Sequence, residues 1–194
     1  EIRLKKLQNI FDEVPEELSV QKTFNSCKPL NVKMMIEFGC GETPTHQDYK
    51  TCDIRNLPGI DFVCPAYEID KHVEPNTVTH IFSRHFIEHL TFEQGERWLK
   101  ACFKILQPGG EMDIRCPNMD FHVHQWKVGK NIAHARAGFW GWQREAETGE
   151  TWDLHKSGYN FSQIKVLLEQ CGYTNIRSLH KPTIKHLGVA CYKP

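Results

Sequence analysis

Short runs of apolar residues recur along this chain, and glycine, proline or a polar residue ends each of them. Runs of this length between turn-forming residues are typical of buried β-strands. The clearest run covers residues 32–38 and leads into the turn Gly39-Cys40-Gly41. The pattern predicts seven strands, at residues 32–38, up to Asp53, 62–64, 78–82, 111–116, 175–179 and 187–192.

Segments in which apolar residues have helical spacing lie between several of these runs. Residues 91–106 and 161–170 predict amphipathic helices, and residues 1–30 predict a polar, helical lead-in. Strands that alternate with helices indicate an α/β domain with a mostly parallel sheet and helices on both faces, here over residues 31–194. Residues 118–158 show neither periodicity and predict an irregular insert after the fifth strand.

The charge balance limits the classes of partner. The 194 residues include 24 Lys and Arg and 24 Asp and Glu, so the formal net charge is zero, which disfavours nucleic acid and anionic membranes. No apolar run approaches the roughly 20 residues that span a bilayer, and the charged first residues show no signal peptide. The eight cysteines are dispersed without a C-x-x-C pair, which predicts reduced core thiols in a cytoplasmic protein.

Polar residues follow the ends of the predicted strands, where open parallel sheets bind their ligands. Glu37 and the turn Gly39-Cys40-Gly41 end the first strand, and Asp53 ends the second. Glycines let the backbone approach a ligand, and a carboxylate can accept hydrogen bonds from ribose hydroxyls. Pro44 stands where a dinucleotide-binding motif has its third glycine, so the pattern favours another nucleoside-containing cofactor.

Further motifs follow in order along the chain. The set comprises Ile36-Glu37-Phe38-Gly39-Cys40-Gly41, Asp53-Ile54, Ser83-Arg84-His85-Phe86-Ile87-Glu88-His89-Leu90, Phe103-Lys104-Ile105-Leu106-Gln107-Pro108-Gly109-Gly110 and Asp153-Leu154-His155-Lys156-Ser157-Gly158-Tyr159. Together they resemble the class I S-adenosylmethionine-dependent methyltransferases, particularly the methyltransferase-11/12-like group of small single-domain enzymes. The resemblance covers residues 33–176.

The resemblance implies a Rossmann-like fold, with a mostly parallel seven-stranded sheet whose last strand is antiparallel, and S-adenosyl-L-methionine as the cofactor. It also implies roles for individual residues. By this resemblance, the methionine end would be lined by Glu37, Gly39, Cys40 and Gly41, and Asp53 would hold the ribose. The adenine would pack on Ile54, and Ser83 would lie beneath the cofactor. Many members have an aspartate for the adenine amino group where this chain has Pro65, which leaves the backbone of Ala66 to read the base, with Cys64 and Tyr67 beside it.

Histidine is abundant, with 11 residues, and raises the question of a metal. The segment from His85 to His89 matches the H-x-x-E-H pattern of some metalloproteases, which on a helix would place both histidines on one face. A zinc hydrolase is therefore an alternative, but the segment also belongs to the methyltransferase resemblance, and we predict no metal ligand. His85 and His155 are instead candidate general bases, and for each a purely structural role is the alternative.

The predicted insert is rich in aromatic side chains, among them Trp126, Trp140, Trp142 and Trp152. Aromatic rings among polar groups suit a polar small molecule, and the position after the fifth strand suits an acceptor-binding lid. We expect methyl transfer to an oxygen or nitrogen atom of such a small-molecule acceptor, for example a sugar or glycan precursor. An alternative of another class is a catalytically silent, methyltransferase-like binding subunit, and the sequence leaves the oligomeric state open.

Overall fold

The computed structural model describes residues 33–181 and 183–194, which form one sheet flanked by helices. The strands are β1 (Met34–Phe38), β2 (Lys50–Asp53), β3 (Phe62–Val63), β4 (Val78–Arg84), β5 (Leu106–Pro117), β6 (Thr174–Ser178) and β7 (His186–Tyr192). They lie in the order β3-β2-β1-β4-β5-β7-β6. Neighbours among β1 to β5 are parallel, and β7 runs antiparallel to β5 and β6. The predicted mostly parallel, seven-stranded sheet with an antiparallel last strand is confirmed.

Among the described residues, five α-helices and two short 3-10 helices connect these strands. The α-helices are α1 (Phe92–Ile105), α2 (Met119–Val128), α3 (Ile132–Trp140), α4 (Glu145–Thr148) and α5 (Phe161–Gln170). The 3-10 helices cover Ala66–Lys71, after β3, and Ile87–His89, after β4.

The central strands are buried, as expected for parallel strands covered on both faces. Phe38, Ile81 and Ile114, from β1, β4 and β5, are fully buried. Trp98 of α1 packs edge-on against Phe38, with 5.5 Å between the ring centroids, and joins this helix to the sheet. Because Phe38 pairs with Ser83, β1 and β4 end side by side at the same edge of the sheet.

Most element boundaries agree with the sequence-based prediction, and α5 occupies the predicted residues. β5 differs, because it begins at Leu106 and includes Pro108-Gly109-Gly110, whereas the sequence pattern predicts that this strand begins at residue 111. Gly109 has a φ angle of 76°, and the pairing of β5 with β4 changes register in this part of the strand. The predicted lead-in, residues 1–30, lies outside the described residues.

The prediction that residues 118–158 are irregular is wrong, because α2, α3 and α4 occupy most of this insert. Trp126 and Trp140 on these helices are exposed, so the apolar residues do not form the single buried stripe that periodicity detects. The residues at the helix ends indicate these helices more clearly than the apolar pattern does. Glycines 129, 141 and 149 follow the three helices with φ angles of 67°, 71° and 71°, positive values that glycine adopts readily at a helix end.

Six of the seven described cysteines are buried, as expected for core thiols, and Cys27 lies outside the described residues. Cys52 and Cys64 are neighbours, with 3.8 Å between the two sulfur atoms. Among the residues that the structure describes, no helix combines the length and the apolar character that crossing a bilayer requires.

The cap of α1 provides a test of how this helix begins after the 3-10 turn at Ile87–His89. The Thr91 hydroxyl accepts a hydrogen bond from the Gln94 amide, and the Gln94 side chain accepts one from the Thr91 amide. We expect Thr91→Ala to lower the free energy of unfolding by about 1 kcal/mol, because an amide of the first turn loses its partner. Urea unfolding at 25 °C measures the change. Thr43→Ala, at an exposed loop position, is the control, and equal stability of the two variants would contradict the capping role.

Candidate functional site

The glycine turn after β1 brings the main chain against the end of β4. Gly39 has a φ angle of +65°, and its amide donates to the Cys52 carbonyl at 2.9 Å. A Cβ atom at this position would lie 2.3 Å from a ring carbon of Phe86, so only glycine fits. β1 lies between β2 and β4, where the strand order reverses, and open parallel sheets bind ligands at such a point.

A cavity of about 250 Å³ opens at this point of the sheet, and we call it the switch-point cavity. Gly39, Asp53, Ile54, Ala66 and His85 all line it. The tertiary structure thus brings together five residues that the sequence analysis selected from four separate segments. The other selected residues are Glu37, Cys40, Gly41 and Ser83, which do not line this cavity, and His155, which lines a second one.

Glu37 is buried beneath the glycine turn. Its carboxylate accepts hydrogen bonds from the amides of Thr45 and His46 at 2.9 to 3.0 Å. Nδ1 of His46 lies 3.4 Å from the same carboxylate. Glu37 therefore holds the loop after the turn in place, and its effect on the cavity is exerted through the backbone.

Cys40 lies within the turn, and its thiol contacts the Gly41 carbonyl at 3.5 Å. Burial raises the pKa of this thiol to about 11, and the neighbouring carboxylates of Glu37 and Asp53 add to the increase. Cys40 is accordingly protonated at neutral pH, which makes it a poor nucleophile.

Both carboxylate oxygens of Asp53, at the end of β2, accept hydrogen bonds. The Arg55 side chain donates to Oδ1 and Oδ2 at 3.1 Å each. The amides of Arg55 and Gly41 donate to the same two oxygens at 3.0 and 3.1 Å. This pairing connects the second strand end to the glycine turn, and it places a guanidinium that the sequence analysis did not select at the wall of the cavity.

The protonation of Asp53 depends on this guanidinium. Burial by itself would raise the pKa of the carboxyl, but the hydrogen bonds and the charge of Arg55, together with the Gly41 amide, hold it below the usual value. Asp53 is therefore ionised at neutral pH and able to accept hydrogen bonds.

Part of the cavity lining is suited to a flat apolar group. Ile54 is 52% exposed, although it is a large apolar residue beside the core. Pro65 and Ala66 begin the 3-10 helix that forms the adjoining wall, and Tyr67 follows them, with the Arg97 guanidinium 4.5 Å from the centre of its ring. The wall after β3 thus offers backbone groups and an aromatic ring where the resemblance has a carboxylate.

Ser83 is fully buried near the end of β4, between Phe38 of β1 and Ile114 of β5. Its hydroxyl has no hydrogen-bond partner among the described residues. A buried hydroxyl without a partner is uncommon, and at this place it lies close to the edge where a bound ligand would rest.

The segment from His85 to His89 does not form the helix that the zinc-hydrolase alternative requires. His85 has a φ angle of 52°, in the left-handed region, and only Ile87–His89 form a 3-10 turn. The His85 amide donates to the Arg115 carbonyl at 2.8 Å, which fixes this backbone conformation against β5. Nδ1 of His85 lies 3.1 Å from Oε1 of Glu88, so His85 is paired with the glutamate of the motif.

A second cavity, of about 370 Å³, adjoins the first, and we call it the histidine cavity. Six histidines line it: His85, His89, His122, His134, His155 and His186. His85, His89 and Asp153 line both cavities, so the two spaces meet at the H-x-x-E-H segment. More than half of the 11 histidines therefore gather at one site, although they are scattered along the sequence.

His155 lies in the histidine cavity rather than against the predicted cofactor residues. Its Nδ1 is 3.0 Å from the Gly138 carbonyl, and its ring centroid is 5.0 Å from that of His89. Burial lowers the pKa of His155, so the imidazole is neutral at neutral pH. The neutral ring donates from Nδ1 to the carbonyl and keeps a lone pair on Nε2.

The insert contributes to both cavities. Trp152 and Lys156 line the switch-point cavity, and Trp142 lines the histidine cavity. The amides of Lys156 and Ser157 donate to the Glu88 carbonyl at 2.8 and 3.1 Å, which attaches this part of the insert to the 3-10 turn after β4. The prediction that the insert acts as an acceptor-binding lid stays a prediction.

One side chain and one contact at this site are not predicted from the sequence, for different reasons. Arg55 follows Asp53 by two residues, and the same Asp-Ile-Arg sequence recurs at residues 113–115, where Arg115 again contacts Asp113. This repeated spacing is a usable signal for the ion pair, but it does not distinguish the pair at the cavity from the pair on β5. The proximity of Glu88 to His155 has no signal in the sequence, because it depends on how the insert folds back over the sheet.

Comparison with solved structures places this fold among methyltransferases. An S-adenosylmethionine-dependent methyltransferase from Archaeoglobus fulgidus has a TM-score of 0.57 and 13% identity, over 83% of this chain and 86% of that one. One from Thermotoga maritima, described as a possible histamine N-methyltransferase, has a TM-score of 0.57 and 12% identity over 83% and 82% of the two chains. No protein-family model matches the sequence, and no curated protein is significantly similar to it.

A third solved structure contains bound ligands. It is phosphoethanolamine N-methyltransferase 2 of Haemonchus contortus, in complex with phosphomonomethylethanolamine and S-adenosylhomocysteine. It has a TM-score of 0.53 and 14% identity, over 84% of this chain and 49% of that one. At these identities the comparisons concern the fold, and they confirm the resemblance at that level: this chain has the class I methyltransferase fold.

The Asp53–Arg55 pair makes a prediction about stability and pH. Because the pKa of Asp53 is lowered in the folded protein, its contribution to stability is present above the usual carboxyl pKa of about 4 and is lost as the pH falls through the lower folded-state value. We expect Arg55→Gln to cost about 1 kcal/mol at pH 7, a modest value because the guanidinium is partly exposed.

The difference from the unchanged protein should shrink as the pH falls from about 5 to 2, as measured by urea unfolding at several pH values. Lys100→Gln, which breaks the exposed pair with Glu96 on α1, is the control for loss of a surface charge. A difference for Arg55→Gln that is independent of pH would show that Asp53 is not the group responsible.

Proposed function

We propose that this protein is a methyltransferase that moves a methyl group from S-adenosyl-L-methionine to an oxygen or nitrogen atom of a polar small molecule. The observation that carries the proposal is the switch-point cavity. It joins the glycine turn, a strand-end carboxylate and an exposed apolar wall at the edge where this fold is expected to hold a ligand.

Two features of the structure suit the cofactor. The Gly39 backbone leaves no room for a side chain against Phe86, so the turn presents bare main chain to the cavity. The buried Ser83 hydroxyl lacks a partner among the described residues and lies at the neighbouring strand end. Both are consistent with the roles that the resemblance implies for the methionine end of the cofactor.

Asp53 and Ile54 supply the contacts for the nucleoside. The ionised Asp53 carboxylate would accept hydrogen bonds from the ribose hydroxyls, with Arg55 sharing the carboxylate or giving up one oxygen. Ile54 would pack against the adenine, and the backbone after Pro65 would contact its edge. When bound, the cofactor supplies a methyl group on a positively charged sulfur, which is ready for direct displacement.

The protein's contribution is to align the acceptor and to exclude water. The histidine cavity is the proposed acceptor site, because it meets the switch-point cavity at His85 and His89. Its volume of about 370 Å³ suits a small molecule. His85 and His155 border it as proposed proton acceptors, and Trp142 offers a ring that could stack on a sugar.

Partners other than a small molecule are not part of the proposal. The neutral net charge disfavours nucleic acid, and a cytoplasmic location is the expectation from the dispersed cysteines. A zinc hydrolase has no support from the comparisons, and its helical His85–His89 pair does not form.

Cofactor binding tests the proposal directly. Isothermal titration with S-adenosylmethionine, and with S-adenosylhomocysteine, should show one site per chain. Asp53→Ala should weaken binding at least about tenfold, because charge-assisted hydrogen bonds to the ribose are lost. Asp113→Ala is the matched control, since it removes the same Asp-Ile-Arg pairing on β5 away from the cavity. No binding of either ligand would exclude a methyltransferase.

Methyl transfer to an acceptor needs a second experiment, because cofactor binding alone does not show it. Incubation with labelled S-adenosylmethionine and a panel of sugars, amines and hydroxylated small molecules should label one acceptor class. Cofactor binding without transfer to any acceptor would favour the silent binding subunit instead.

A further inference from the structure

Glu88, His89 and His155 form a compact cluster where the 3-10 turn after β4 meets the insert. Each side chain offers one ligand atom, and these atoms all lie within 4.8 Å of one another. The sequence predicts no metal ligand, because the segment from His85 to His89 also belongs to the methyltransferase resemblance. We propose that Glu88, His89 and His155 bind a divalent transition-metal ion.

The Glu88 carboxylate is held as a metal ligand would be. Its side chain is 1% exposed, and Oε1 is 3.1 Å from Nδ1 of His85. Oε2 is buried and has no hydrogen-bond partner among the described residues. A buried carboxylate oxygen without a partner is costly, and a bound cation would remove that cost.

Both imidazoles have their free nitrogen determined by a backbone contact. Nδ1 of His89 lies 3.1 Å from the Leu154 carbonyl, and Nδ1 of His155 lies 3.0 Å from the Gly138 carbonyl. A carbonyl oxygen can only accept, so in each ring Nδ1 is the hydrogen-bond donor and Nε2 is the nitrogen left to bind a metal ion. Metal-bound histidines commonly donate their other ring N–H to a carbonyl in this way.

The backbone fixes these three residues relative to one another. The amides of Lys156 and Ser157 donate to the Glu88 carbonyl, and the Ser157 hydroxyl donates to the Ile87 carbonyl at 3.2 Å. The residue after His155 is thus attached directly to Glu88. A site whose ligands are positioned in advance needs little rearrangement to bind an ion.

The donor set indicates the class of ion. Two neutral imidazoles and one carboxylate are typical ligands of Zn²⁺, and the same set binds Fe²⁺ with open positions. An all-oxygen set, as Ca²⁺ or Mg²⁺ prefers, is not present in this cluster. Three protein ligands leave at least one coordination position for another molecule.

That position borders the proposed acceptor site. His89 and His155 both line the histidine cavity, so an oxygen of a bound molecule could reach the ion from there. A hydroxyl on a divalent ion loses its proton more readily, which would prepare an acceptor for methylation. With the ion bound, Nε2 of His155 would be a ligand, so the ion would take the place of His155 as the group that activates the acceptor. This use of the ion rests on the proposed function, whereas the binding of the ion does not.

The test is an isothermal calorimetric titration with Zn²⁺. The full chain is first treated with a chelator, and no S-adenosylmethionine is present. We expect about one equivalent per chain, with affinity reduced at least about tenfold in Glu88→Gln and in His155→Gln. His72→Gln is the control, because this exposed histidine follows the 3-10 helix Ala66–Lys71 outside the cluster. Co²⁺ should bind to the same site and give a visible absorption band that both cluster variants lose.

No stoichiometric binding, or equal binding by the cluster variants and the control, would overturn the proposal. Circular dichroism establishes that each variant is folded, and His155→Gln decides the question if Glu88→Gln is not. Because the titration contains no methyl donor, failure to bind Zn²⁺ leaves the cofactor experiment unaffected. Failure to bind S-adenosylmethionine likewise leaves the metal site standing.

Discussion

The burial of the Glu88 carboxylate is the constraint on which this end of the molecule depends. A carboxylate withdrawn from water must find partners, and Glu88 has His85 on one oxygen only. Its backbone carbonyl meanwhile receives two amides from the insert. The same residue therefore ties the strand end of β4 to the segment that borders both cavities. His85, held in a left-handed backbone conformation beside it, is part of this arrangement.

The ion pair of Asp53 and Arg55 organises another part of the site. Asp53 and Arg55 neutralise each other at the end of β2, while the Gly41 amide ties the carboxylate to the glycine turn. The cavity wall is thus shaped before any ligand arrives. Asp113 and Arg115 form a similar pair on β5 without lining the cavity, so the spacing alone does not define a ligand site. The position of the pair at the switch point does.

Sequence patterns predicted the sheet well because each strand is short, apolar and closed by a turn residue. β2, β3 and α5 lie where the pattern places them, and Thr91 caps α1 as its residue type suggests. The insert was missed because its helices expose tryptophans and have no single apolar face. The predicted start of β5, at residue 111, is too late, because proline and glycine are typical of turns, whereas here Pro108, Gly109 and Gly110 belong to the strand.

The features of the site also fall into two groups, those predicted from the local sequence and those brought together only by the tertiary structure. The sequence by itself determined the parallel sheet, the glycine turn and the strand-end carboxylate, because these depend on residues close together in the chain and on the rule that parallel strands deliver their ends to one edge. Only the tertiary structure decided that six histidines surround one cavity and that His155 lies beside Glu88. Those contacts come from folding the insert back onto the turn after β4, and hydrogen bonds between residues 65 and 70 positions apart leave no local pattern to detect.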